Sequence, residues 1–186
     1  MSALLQTRQP AAIATPAGAE PDQYLTFMLA DEQFAIGILN IKEIIEYHGV
    51  TEVPMMPACV RGVINLRGAV VPVMDLQARF GRPSSATTKR TCVVIVEVAG
   101  ADERHVIGLV VDAVNEVLDI AASDIEPPPS FGARIRSDFI QGVGKVKGRF
   151  VLLLDVDRAL SLDEIAELGA PAAAEETHQF DEPVAA

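Results

Sequence analysis

Short runs of alternating apolar and polar residues, broken at intervals of about 8–12 residues by turn-forming pairs, extend from about residue 24 to residue 155 of this chain. Residues 24–29 place Leu25, Phe27 and Leu29 on one face, and residues 33–39 do the same with Phe34, Ile36 and Ile38. With Asp31-Glu32 between them, they predict a hairpin. Residues 40–46 carry Ile41, Ile44 and Ile45 at spacings that suit a helical turn or a continuing strand. The Pro-bounded stretch 53–57 reads as an extended loop, because a residue before proline is pushed out of the helical region. Residues 62–66 and 69–74 flank Arg67-Gly68 and predict a second hairpin, with Pro72 at an edge or a bulge because it has no ladder donor.

A brief helix is expected over 75–80, capped by Asp75 and ended by Gly81. Strands resume at 91–98, 104–111 and 113–120, the last with Val114, Val117 and Ile120 facing inward. Pro127, Pro128 and Pro129 exclude a helix interior or a central strand. Residues 138–146 and 149–155, around Lys147-Gly148, form a last hairpin. Ser161 and Glu164 have capping-box spacing and predict a terminal helix over 161–168. About nine or ten strands grouped at 24–74 and 91–155 predict an all-β chain of two small barrels. The apolar-poor segment 82–90 is the expected joint.

Composition narrows the functional classes. The chain has 186 residues, of which 49% are hydrophobic and 22% charged, as in a globular protein with a real core. Trp is absent and aromatics make up 5%, so the core is expected to be Val, Ile and Leu. Residues 1–22 and 170–186 read as disordered tails, leaving a folded region over 23–169. The C-terminal tail holds Glu175, Glu176, Asp181 and Glu182 and no Lys or Arg. A net charge of −11 without a basic stripe argues against nucleic-acid binding. Lys145, Lys147 and Arg149 alternate along the last hairpin and suit a solvated face. No run is long and apolar enough for a membrane span, and no signal-peptide pattern opens the chain, so the expected compartment is the cytoplasm.

Candidate chemistry is sparse. No zinc-protease, nucleophile-elbow or Walker pattern occurs, and GVGKVKG at 142–148 lacks phosphate-loop spacing. Cys59 and Cys92 sit among apolar residues and read as buried thiols. His48, His105 and His178 are too scattered for a metal site. No catalytic residue, cofactor or metal is expected. The segment 61–75 stands apart. Arg67, at a turn between two strands with Asn65 two residues before it, either forks to a partner's carboxylate or carbonyl or caps its own barrel in solvent. Glu43, flanked by Ile41, Ile44 and Ile45, is either an edge charge or a partner contact.

At these residues the sequence resembles the CheW family of chemotaxis coupling proteins. The resemblance is carried by NIKEII (40–45), VPMMPACVRG (53–62), GVINLRGAVVPVMDL (62–76), VIGLVVDAVNEVLDI (106–120) and RFVLLLDVDRAL (149–160), and spans about residues 23–165. It implies two SH3-like five-stranded β-barrels with a groove between them, a short C-terminal helix and no enzymatic activity. It further implies a scaffold that bridges the cytoplasmic tips of methyl-accepting chemoreceptors to the regulatory domain of the histidine kinase CheA. Such a scaffold is expected as a monomer in solution and in rings within membrane-associated arrays, without inserting into the membrane. By the same resemblance Ile41, Glu43, Gly62, Asn65, Arg67, Val114 and Val117 are expected at partner contacts. The alternatives are a CheW-like module of another chemosensory pathway or a fragment of a kinase regulatory domain.

Overall fold

The computed structural model describes residues 21–128 and 136–169. Most of tail 1–22, all of tail 170–186 and Pro129 lie outside the described residues. Among the described residues eleven strands are formed: β1 (Asp22–Leu29), β2 (Glu32–Gly37), β3 (Ile41–Glu46), β4 (Val60–Leu66), β5 (Ala69–Asp75), β6 (Cys92–Ala99), β7 (Arg104–Val111), β8 (Ala113–Ile120), β9 (Ile125–Glu126), β10 (Ile140–Val146) and β11 (Arg149–Leu154). Three short α-helices follow β5 and β11: α1 (Leu76–Arg79), α2 (Val156–Ala159) and α3 (Leu162–Gly169). The ambiguous segment 40–46 is strand, entered through a 3-10 turn at Ile38–Asn40.

The strands form two sheets, ordered β3-β6-β7-β5-β4 and β8-β1-β2-β11-β10-β9. This corrects the expected division of the chain. Segment 82–90 joins α1 to β6 and does not separate the sheets, because β5 and β6 belong to the same one. The chain instead changes sheets at Ile38–Asn40 and at Asp112, and the N-terminal hairpin β1-β2 completes the sheet built by the C-terminal strands. The second sheet has six strands rather than five, the two-residue β9 being the extra one. Pro72 is also placed differently, in β5 between β4 and β7. Its neighbour across the hairpin, Val63, bonds outward to Thr51, and the parallel ladder to β7 begins only at Val73. A residue at that point needs no N–H.

The two sheets are built on one plan. The β4-β5 and β10-β11 hairpins lie eighty residues apart and share Gly62/Gly142, Val63/Val143, Gly68/Gly148, Val71/Val151 and Asp75/Asp155. Each has a bulge before its first glycine, opposite Val73 or Leu153. Each turns on a positive-φ pair, Arg67-Gly68 or Lys147-Gly148, as a two-residue type I′ turn requires. Asp75 N–H donates to Cys59 O at 2.7 Å, and Asp155 N–H to Phe139 O at 2.9 Å. Both aspartates then cap the helix that follows, α1 or α2. The parallel pair Val73–Gly108 corresponds to Leu153–Ala35. The strand β3 on β6 corresponds to β8 on β1, matching Ile41 with Val114 and Ile44 with Val117.

Because β1, β2, β6 and β7 are covered on both faces, their sequences are nearly continuous apolar runs. The largest core takes Leu25, Phe27, Phe34 and Ile36 from one sheet and Val94, Val96, Ile107 and Leu109 from the other. The opposite faces hold smaller cores around Tyr24, Ile120 and Leu153 and around Val71, Val93 and Ile95. The core is not purely aliphatic. Phe27, Phe34, Phe80 and Phe139 form a chain of rings through its centre, with successive centroids 6.1, 5.8 and 6.1 Å apart. Buried Thr26 is satisfied by exchanging hydrogen bonds with the backbone of Glu116 at the β1-β8 bulge.

Glu164 does not complete the expected capping box. It accepts from the buried Arg79 at 2.7 Å, and Arg79 also donates to Ala159 O and lies over the Phe139 ring. This ties α3 to α1. The hydrogen bond from Arg79 holds the Glu164 carboxyl below the usual carboxylate range. A depressed folded-state value stabilises at neutral pH and is lost as the pH falls below about 4.3 and through the folded value. Glu164→Gln is therefore expected to flatten the acid limb of a melting-temperature profile recorded between pH 7 and 3. Phe34→Ala, in the middle of the ring chain, is expected to cost about 3–5 kcal/mol in urea unfolding.

Candidate functional site

The β4-β5 turn brings two of the sequence-predicted residues into direct contact. Arg67 takes a positive φ of 50°, which turns its side chain back over β3. There its guanidinium forks onto Glu43, Nη1 to Oε1 at 2.7 Å and Nη2 to Oε2 at 2.8 Å. The pair is open to solvent on the arginine side, with Arg67 76% exposed and Glu43 25%. Hydrogen bonding to Glu43 raises the Arg67 pKa further, so the guanidinium carries its charge at every accessible pH. Asn65 fixes the turn itself, its Oδ1 accepting from Gly68 N–H at 2.8 Å. Arg67 thus does cap its own barrel, yet the cap lies on the surface. Exposed Ile44 and Val70 belong to the same two strand pairs, β3-β6 and β4-β5.

Gly62 lies behind the surface rather than on it. It is buried, and a Cβ built on it would lie 2.2 Å from Thr51 O. Thr51 and Val63 exchange two backbone hydrogen bonds of 2.9 Å, which close the sheet between the end of β3 and β4. Glycine is required for that close approach. Ile41 is half-buried against the main core, leaving the exposed positions of β3 to Lys42, Ile44 and Glu46.

Val114 and Val117 lie in the other sheet, on β8. Val114 is partly buried against the main core, whereas Val117 is 50% exposed and Ile120 is buried. Val114 and Val117 thus share the main-core face of β8, because the bulge between Leu25 and Phe27 sets them opposite those two residues, but Val117 lies uncovered, while Ile120 turns to the opposite face and packs with Tyr24 and Leu153. The predicted residues accordingly fall into two groups at corresponding places of the repeated plan, Ile41 matching Val114. The duplicated hairpin, with five identities at eighty-residue spacing, is the sequence signal that reveals this correspondence.

A polar network that sequence reasoning missed holds the two sheets in register. Asp112, at the crossover, accepts from Ala30 N–H at 2.7 Å and from Ser85 Oγ at 3.0 Å. Arg82 bonds Glu32, and buried Asp75 receives Arg61 Nε at 2.9 Å. Segment 82–90 is thus a clasp across the sheets. Among the described residues no cluster of three or more His, Cys, Asp or Glu is placed to hold a metal ion. His48 stands near exposed Glu46, and His178 lies outside the described residues. Burial raises the pKa of the Cys59 thiol, as expected of a core cysteine.

Comparison with known proteins agrees with this architecture. A family model for the CheW-like domain matches residues 23–164. The chain is 33% identical to a chemotaxis protein CheW of Klebsiella aerogenes over 144 residues, covering 77% of this chain and 84% of that protein. It is 34% identical to one of Rhizobium meliloti over 142 residues, covering 76% and 89%. The crystal structure of the scaffolding protein TtCheW from Thermoanaerobacter tengcongensis superposes with a TM-score of 0.68 at 32% identity, covering 77% of this chain and 90% of that one. Gly62→Ala is expected to destabilise the fold by about 1–3 kcal/mol through overpacking against Thr51. A Cβ on Gly148 meets nothing within 4 Å, but its φ of 77° favours glycine, so Gly148→Ala at the matching hairpin shows the cost of the left-handed backbone without crowding in the same urea titration.

Proposed function

The chain belongs to the CheW family, and from that premise we propose that it is a non-enzymatic scaffold coupling transmembrane chemoreceptors to the histidine kinase CheA in chemotaxis signalling. The observation that carries this reading is the Glu43–Arg67 fork, an ordered and solvent-open charge pair in a cleft it shares with exposed Val70. Such an arrangement suits recognition. The bidentate bond fixes the guanidinium plane before any partner arrives, so little side-chain entropy is lost on docking. Val70 supplies apolar area, and the pair gives orientation and specificity.

Ile41, Glu43, Asn65 and Arg67 are assigned to one partner face, with Ile41 and Asn65 supporting it from beneath and at the turn. Val117 is assigned to a second face on the other sheet, with Val114 behind it. The two partners are the regulatory domain of CheA and the cytoplasmic tip of a methyl-accepting chemoreceptor. A receptor tip is a helical hairpin, whose apolar ridge fits a groove at a sheet edge. Single contacts of this size hold with roughly micromolar affinity, and repetition in a membrane-associated array raises the overall strength. The protein acts on the cytoplasmic side, as a monomer in solution and as a ring component in the assembly, and binds no nucleic acid. Segments 23–37 and 113–169 together with 38–112 form its two sub-domains.

Arg67→Glu places like charges together in an exposed position and is expected to leave the melting temperature nearly unchanged. Co-sedimentation with receptor-containing membranes and kinase is expected to fall at least tenfold. A folded variant that co-sediments like the wild type would show that Arg67 only caps its barrel.

A further inference from the structure

The matching of the two sheets marks a second surface that no motif singles out. At the β10-β11 hairpin Lys147 stands where Arg67 stands, Phe150 where Val70 stands, and Glu116 on β8 where Glu43 stands on β3. A cleft of about 850 Å³ opens here, lined by Lys147, Arg149 and Phe150 of the hairpin and by the acids Asp31, Glu116 and Glu32, the last of them paired with Arg82. Its counterpart beside Arg67 and Glu43 is about 460 Å³.

The two surfaces differ in charge. In the first, Glu43 neutralises Arg67. In the second, among the described residues, Lys145, Lys147 and Arg149 have no carboxylate partner. Every other described arginine or lysine outside segment 82–90 is in an ion pair. Phe150 is 64% exposed and stands in register with Lys145. Of the five cations without an ion pair among the described residues, three therefore lie on one hairpin with the exposed ring of Phe150, and the other two are Lys89 and Arg90.

We infer that the chain's own C-terminal segment 170–186 docks on this hairpin. The segment carries Glu175, Glu176, Asp181 and Glu182, no Lys or Arg, and one aromatic residue, Phe180, beside two of the acids. Four carboxylates and a ring match three cations and a ring. Repulsion from Asp31 and Glu116, which lie outside the hairpin, confines the carboxylates to the hairpin itself. Reach is ample, since seventeen residues beyond Gly169 span up to about 3.3–3.6 Å each, and a domain of this size has a radius of gyration of roughly 15 Å. A tethered segment sits at an effective concentration of order millimolar. Contacts with a dissociation constant near 0.1 mM in trans therefore keep it about 90% docked. The inference stands independently of the coupling function.

The test is backbone amide NMR of the full chain against the full-length variant E175Q/E176Q/D181N/E182Q. Docking predicts shifts concentrated at residues 144–151, with residues 66–69 of the corresponding hairpin unmoved. Adding a synthetic 170–186 peptide to that variant is expected to retrace the shifts, and K147E/R149E in the same background to weaken its binding at least fivefold. Absence of shifts at 144–151, equal shifts at 66–69, or shifts centred on Lys89 and Arg90 would overturn the inference. So would peptide binding that K147E/R149E leaves unchanged.

Discussion

The shared core between the two sheets is the constraint from which the rest of the structure follows. Neither sheet buries its larger apolar face alone. Phe27 and Phe34 come from the N-terminal hairpin, Phe80 follows α1 in the first repeat, and Phe139 precedes β10 in the second. Their rings meet only when the N-terminal hairpin has joined the C-terminal strands. A four-ring stack of this kind adds directional preference to area burial. The polar clasp through Asp112, Ser85 and Ala30 then sets the register at the edge of that core, where water would otherwise compete. The result is a body in which two sheets present their outer faces at a fixed relation, as a bridging protein requires.

On that body, duplication explains the scatter of the candidate residues. Ile41 and Val114 are far apart in sequence and lie in different sheets, yet they occupy the same place in the repeated plan. The copies have diverged in charge rather than in backbone. One hairpin carries an arginine locked by its own glutamate, while the other carries lysines and a phenylalanine. A scaffold joining two unlike proteins needs two faces of different chemistry, and a duplicated barrel supplies them without a new fold. The ionic contacts Arg61–Asp75 and Arg79–Glu164, each with one buried side chain, are separate from both faces and belong to the frame.

The strands were largely legible because turn chemistry is local. Arg67-Gly68 and Lys147-Gly148 end their hairpins where expected, and Asp75 caps its helix. The first turn falls at Ala30-Asp31, one residue earlier than expected, because alanine carries no turn signature. Sheet partners were not legible. Alternation tells which face a residue takes but not which strand lies beside it, so grouping by sequence proximity put the joint at 82–90. The burial of Gly62 was not legible for a related reason, since the backbone that crowds it, Thr51, is brought there only by closure of the sheet. Glu164 had capping-box spacing, but a buried arginine eighty-five residues away outcompeted the local backbone for its carboxylate.

The central claim is that this body couples one protein to another in chemotaxis signalling. Reconstitution tests it most directly: receptor-containing membranes and chemotaxis kinase are combined with and without the purified chain, and kinase autophosphorylation is followed. The account predicts that the chain raises the receptor-dependent rate in proportion to the ternary complex formed. It also predicts no effect on the kinase when receptors are absent. An unchanged rate with both partners bound, or equal stimulation without receptors, would contradict it.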